Sequence, residues 1–301
     1  MDFALKFLSI LFTTSLLIIA GCDRLPSDTE SSDNVLHHRL RAKVLSLDPA
    51  DVGDSASHGV ANEIFECLYQ YHYLKRPYQL IPHLAADMPQ ISEDQLTYTV
   101  KIKRGVYFAD DLCFEGGKGR ELKAGDFVFA WKRIANVKTR SKMWWIFDNK
   151  IVGLDEFREY TKGCKRAEDV DYSWPVEGLT ASDDYTLVIK LKRSWPQILY
   201  MLAYLPTAPI AKEAVDYYGK DIVSHPVGTG PFKLKVWNRG SYIEMVRNTN
   251  FWQELYPSEG QDGDLEEGLL RDAGEAIPFV DRIIWRIVAE DQPRWLTISL
   301  P

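Results

Sequence analysis

The residues with the most definite chemistry lie near the N-terminus, where Ile19-Ala20-Gly21-Cys22 closes an almost purely apolar run over residues 7–20, preceded by Lys6. A run of that length behind a basic residue predicts a signal-peptide core, too short to span a bilayer comfortably. Small residues leading into a cysteine match a lipobox, in which the Cys22 thiol receives a diacylglycerol; the alternative is an uncleaved anchor helix that ends in Gly-Cys. Asp23 follows directly, and in enteric bacteria an Asp at that place resembles the signal that keeps a lipoprotein on the inner membrane.

With Cys22 lipidated, Cys67, Cys113 and Cys164 remain, so at most one internal pair forms, and buried thiols are the preferred reading over a disulfide. None has the close Cys or His neighbour of a structural zinc site. His58, His72, His83 and His225 are scattered, with no H-E-x-x-H, G-x-S-x-G or Cys/His arrangement. The adjacent acids Asp110-Asp111 and Asp183-Asp184 stand in Gly-rich or turn contexts and read as solvated rather than catalytic. Gly228-Thr229-Gly230 lacks the Lys-Ser/Thr ending of a phosphate loop and precedes a strand pattern, so it reads as a turn. No catalytic residue, metal ligand or cofactor follows.

The elements that must position any site are legible from periodicity. The chain has 301 residues, 46% of them apolar, enough for one large domain or two. Its 43 acids against 36 bases give a net charge of −7, which argues against a nucleic-acid partner. Residues 26–34, rich in Ser, Asp and Thr, read as a disordered tether, and 35–44 as an edge strand. Val60, Ile64, Phe65 and Leu68 recur at helical spacing and predict a helix over 57–69.

Leu96, Tyr98, Val100 and Ile102 alternate with Thr97, Thr99 and Lys101, a half-buried strand; Tyr185, Leu187, Ile189 and Leu191 repeat the pattern. Residues 124–135 set Phe127, Trp131 and Ile134 on one helical face. Ser194 stands as an N-cap with Pro196 behind it, predicting a helix to Leu202, and 211–218 reads as another. Residues 232–237 and 242–247 predict a hairpin around Asn238-Arg239-Gly240. Residues 254–275 carry eight acids against Arg271 alone and read as a solvated loop; 279–288 reads as a buried strand inside a sheet. Residues 291–295 begin a further helix pattern just before the sequence ends at Pro301.

Four stretches, taken together, resemble the extracytoplasmic solute-binding proteins of peptide importers, the oligopeptide- and dipeptide-binding group of family 5. Ser46-Leu47-Asp48-Pro49 with Glu63-Ile64-Phe65-Glu66-Cys67-Leu68-Tyr69 looks like that family's opening, and Pro82-His83-Leu84-Ala85 like its P-x-L-A turn. Residues 98–108 followed by Lys123-Ala124-Gly125-Asp126-Phe127-Val128-Phe129-Ala130-Trp131 are similar to its strand, basic turn and T-A-x-D-F-V-x-S-W helix. Gly228-Thr229-Gly230-Pro231-Phe232, Arg247-Asn248 and Phe251-Trp252 are similar to its G-T-G-P-Y…R-N-x-x-Y-W block, the most specific of the four.

The resemblance implies an α/β, periplasmic-binding-protein-like fold (type II, peptide-binding cluster): an N-terminal lobe of mixed sheet with an inserted α+β subdomain, the distal lobe missing. Residues 1–21 would be the lipoprotein signal peptide, 22–34 the tether, 35–55 and 178–288 the mixed-sheet lobe, 56–177 the insertion, and 289–301 a truncated start of the second lobe. It implies a ligand running along the backbone of Gly53, Asp54 and Ser55 like an added strand, with Trp144, Trp145 and Trp285 as aromatic contacts; for each, a connecting loop or core packing is the competing assignment. The implied activity is non-enzymatic: a monomeric, lipid-anchored, periplasmic protein capturing a peptide or peptide-like solute for an ABC permease. The alternative is a single-lobe scaffold or partner-binding lipoprotein, or an inactive gene fragment.

Overall fold

The computed structural model describes residues 34–288. The lipobox at Cys22, nearly all of the tether and the helix pattern at 291–295 lie outside the described residues. The strands, in chain order, are β1 (Val35–Leu40), β2 (Tyr69–Tyr71), β3 (Leu80–Pro82), β4 (Gln90–Ile91), β5 (Thr97–Lys101), β6 (Leu179–Asp183), β7 (Thr186–Lys190), β8 (Phe232–Asn238), β9 (Tyr242–Arg247), β10 (Glu254–Leu255), β11 (Ala276–Ile277) and β12 (Arg282–Ile287). The helices are α1 (Ser55–Ala61), α2 (Ala124–Ala135), α3 (Leu154–Gly163), α4 (Ile198–Met201) and α5 (Lys212–Tyr218).

The period-two stretches form strands because alternation lets one face pack while the other meets water. Tyr98, Val100 and Ile102 are buried on one side, and Leu187 and Ile189 complete the same face from the neighbouring strand. They lie in an antiparallel sheet ordered β4-β5-β7-β6, covered by α2 through Phe127, Trp131 and Ile134. Trp131 is fully enclosed, and its Nε1 donates to the Thr207 carbonyl at 2.9 Å, so the indole is buried with its polar atom satisfied.

A second sheet is ordered β1-β12-β9-β8, with β1 parallel to β12 and the other pairs antiparallel. This is the mixed sheet expected, with β1 at its edge and β12 inside it. Ile283 and Trp285 of β12 pack with Ile243 and Met245 of β9 and with Val60 and Ala61 of α1. The β8–β9 hairpin turns at Gly240, whose φ of +84° suits a residue without a Cβ.

Three expectations need correction. The helix predicted over 57–69 stops at Ala61, and Tyr69 already begins β2. Ile64 through Tyr69 are buried without a break, so no solvent face exists to favour a helix, and the backbone is bonded elsewhere: Gly230 N–H donates to Ile64 O at 2.8 Å and Phe232 N–H to Glu63 O at 3.0 Å. This contact also explains the Gly-Thr-Gly turn, since a Cβ on Gly228 would lie 2.0 Å from the Ile64 carbonyl oxygen. The helix predicted from Ser194 shrinks to α4, which Ser194 does not cap.

Beyond the boundary expected at residue 178, β6 and β7 pair with β5, and Ile198, Leu202, Ile210 and Ala214 join the same core. Residues 178–222 therefore pack with the segment read as the insertion. The acidic loop, finally, is not solvated throughout, because Glu254 heads β10, pairs with β11 and turns its carboxylate inward.

Candidate ligand-binding face

The turn that presents Gly53, Asp54 and Ser55 is fixed by a buried ion pair. Asp48 accepts both arms of the Arg133 guanidinium, at 2.7 and 2.6 Å, and also the Ala50 N–H at 3.1 Å. Burial opposes the charge on Arg133, and Asp48 more than offsets it, so its pKa rises. The pair ties the Leu47-Asp48-Pro49 turn to α2. Ser141 Oγ donates to Ala50 O at 2.6 Å and Lys142 reaches Asp51 at 3.0 Å, bringing the 141–145 loop alongside.

Asp54 then starts α1 as its N-cap: Oδ1 accepts from Ser57 N at 2.8 Å and Oδ2 from Ser57 Oγ at 2.7 Å, while Ser57 Oγ accepts from Leu45 N–H at 2.9 Å. Its side chain is thus occupied by the helix. Gly53 and Ser55 are exposed, and neither main-chain group of Gly53 has a partner among the described residues. Lys142 and Met143 border Gly53, where an added Cβ would stand 3.2 Å from the Lys142 stem.

Trp145 is 56% exposed, its ring centroid 6.3 Å from that of Tyr204, which in turn stacks on His58 at 5.4 Å. Burial lowers the His58 pKa, favouring the neutral imidazole. Trp145, Tyr204 and His58 therefore form one aromatic row, on the side of the loop whose Lys142 and Met143 border Gly53. Trp144 does not join it: the ring is half-buried with the Arg158 guanidinium 4.6 Å above it. Trp285, only 6% exposed, sits in the core against His38 at 4.3 Å, with its Nε1 unpartnered. Sequence reasoning missed Tyr204 and His58; only the spacing of His58 four residues after Asp54 on α1 connects either to the predicted segment.

None of Cys67, Cys113 and Cys164 forms a disulfide, and burial pushes the Cys67 and Cys113 thiols up to about 12, which keeps them protonated. A different group could hold a cation: His83 Nε2 lies 3.0 Å from Glu66 Oε1 and 3.5 Å from Glu254 Oε2. Burial disfavours the His83 cation, but the two carboxylates outweigh it and raise its pKa to about 9. Local spacing gives no sign of this cluster, since its members are separated by long stretches of chain.

Residues 79–298 match the family model described as bacterial extracellular solute-binding proteins, family 5 Middle. The chain belongs to this family, as the motifs implied. It is 26% identical over 249 residues to the glutathione-binding protein GsiB of Salmonella choleraesuis (strain SC-B67), a match covering 83% of this chain and 37% of that protein; the GsiB of Escherichia coli O1:K1 / APEC matches equally over the same spans. Among solved structures, Listeria monocytogenes OppA bound to peptide superposes with a TM-score of 0.66 at 23% identity, covering 89% of this chain and 45% of that one. The Helicobacter pylori DppA in complex with the peptide STSA gives 0.61 at 24%, covering 89% and 46%. The chain thus has the fold of periplasmic peptide-binding proteins and spans less than half the length of these relatives. Among the described residues no helix is long and apolar enough to cross a membrane.

Proposed function

We propose that the protein captures peptides or peptide-like solutes outside the cytoplasm for an ABC permease, held to the membrane by lipid on Cys22, and performs no covalent chemistry of its own. The observation that carries this reading is the exposed Gly53, whose main-chain groups have no partner among the described residues and which borders Lys142 and Met143 of the loop that also presents the exposed Trp145 ring. An extended ligand backbone adds to exposed N–H and C=O groups as a strand does, independent of its side chains. A flat indole contributes contact area with equally little sequence preference. Membership in the solute-binding family, with relatives named for glutathione and peptide binding, supports the same substrate class.

Native mass spectrometry of the protein extracted from its own membranes, incubated with short peptides and glutathione, tests both parts. Retained peptide or glutathione is expected, and Trp145→Ala lowers retention about tenfold while leaving stability within about 0.5 kcal/mol, since the side chain is mostly in water. Extraction without retained ligand, from either pool, overturns the substrate assignment. A mass lacking diacylglycerol on Cys22 overturns the anchor and leaves the ligand question intact.

A further inference from the structure

We propose that Glu66, His83 and Glu254 form a divalent transition-metal site, of the kind zinc occupies, that staples β10 to the segment running from Glu66 to β3. The ligand-capable atoms of the three side chains all lie within 4.8 Å of one another. Around a zinc ion, imidazole nitrogen and carboxylate oxygen sit about 2.0–2.2 Å from the metal, which at tetrahedral angles places neighbouring donors about 3.4 Å apart. His83 Nε2 is 3.5 Å from Glu254 Oε2, close to that spacing, and 3.0 Å from Glu66 Oε1, whose sister oxygen Oε2 lies on the same carboxylate.

Two buried atoms point the same way. Glu66 is 3% exposed and its Oε2 has no hydrogen-bond partner; His83 Nε2 is enclosed and pairs with the carboxylates only as a cation, in strained geometry, so a metal would enter by displacing its proton. Buried polar atoms are rarely left so, and a cation between them would satisfy both. The carboxylates are already oriented from behind, as ligating groups usually are. Trp252 Nε1 donates to Glu66 Oε1 at 2.8 Å, leaving Oε2 free, and Gln70 Nε2 donates to Glu254 Oε1 at 2.7 Å, leaving Oε2 turned to His83.

Glu254, one of the three, also lines a groove of ≈ 680 Å³ bordered by Tyr71, Tyr73, Tyr256 and Phe279. Lys103 opposes binding, with its Nζ 3.8 Å over the Trp252 ring, but burial lowers its pKa and its charge is set against two carboxylates. One imidazole with two carboxylates suits zinc, and leaves a coordination position for water.

The full chain, stripped with a chelator and dialysed against zinc alone, is the test, with bound metal counted by elemental mass spectrometry and melting followed by circular dichroism. One zinc per chain is expected, together with a raised Tm. His83→Gln and Glu254→Gln should each weaken binding about tenfold or more. Should His83→Gln fail to fold, Glu254→Gln, at the rim of the cluster, decides alone. Absence of stoichiometric zinc on the folded protein overturns the proposal. So does zinc held with unchanged affinity by Glu254→Gln, which would assign the metal to other groups such as the exposed His37 and His38.

Discussion

Asp48 and Glu66 are both carboxylates at 3% exposure, yet their surroundings differ in kind. Asp48 meets a planar guanidinium with both oxygens and adds a backbone N–H, so its charge is matched and its lone pairs are used. Glu66 has an indole N–H on one oxygen, an imidazole beside it in poor geometry, and nothing on the other oxygen. A satisfied buried pair serves the fold, here by tying the turn before Gly53 to α2. An unsatisfied one persists where something else completes it, which is why the second cluster, and not the first, supports a ligand.

The largest effect should come from breaking the satisfied pair. Arg133→Met leaves Asp48 as an uncompensated buried charge, and the expected loss is about 3–5 kcal/mol in urea unfolding. Because the pair positions residues 50–55, ligand retention should fall with it even though Arg133 does not touch the face. A loss below about 1 kcal/mol would show that water reaches Asp48, and the contrast with Glu66 would collapse.

Glu66→Gln should cost less, about 1–2 kcal/mol in the same assay without added metal, because the amide oxygen still accepts from Trp252 and only the pairing with His83 is weakened. A loss as large as that of Arg133→Met would mean that Glu66 is also fully committed to the fold. Adding zinc should widen the gap between wild type and this variant and leave the Arg133→Met difference unchanged.

Much of this arrangement was legible in the sequence, for identifiable reasons. Strands β5, β7, β8 and β9 and helix α2 announced themselves because each buries one face, and one-faced burial is what periodicity records. The family resemblance rested on residues the structure explains: Gly228 and Gly230 allow close approach to Ile64, and Trp131 anchors α2. Residues 64–69 were misread because apolar positions at helical spacing look the same whether or not the intervening residues, such as Glu66 and Cys67, are also buried.

Of the residues proposed from sequence, Gly53, Ser55 and Trp145 are exposed while Trp285 lies in the core, and Tyr204 and His58 come beside Trp145 only through tertiary packing. The cluster of Glu66, His83 and Glu254 was invisible. Its members come from the segment after α1, the end of β3 and the head of β10, and an acid-rich composition made Glu254 look solvated. Composition averages over a segment, whereas one inward-facing carboxylate is a property of register.

Glu63 supplies the third case, a half-buried carboxylate with no ion-pair partner among the described residues, and it should give the smallest effect with the opposite sign. Burial raises its pKa above the ordinary glutamate value of 4.5. A raised carboxyl pKa means that the folded state holds its proton more tightly than the unfolded chain. Its contribution is therefore fully present below about pH 4.5 and is lost as pH rises through the folded-state value. At neutral pH the ionised group costs stability, so Glu63→Gln, which keeps the shape and removes the charge, should stabilise by less than about 1 kcal/mol. Unfolding of both proteins across pH 4–7 is the measurement: the two curves should meet at the acid end and separate as pH rises. Separation in the reverse direction would mean that Glu63 has a cationic partner in solution, and the ordering of the three buried acids by partner would no longer hold.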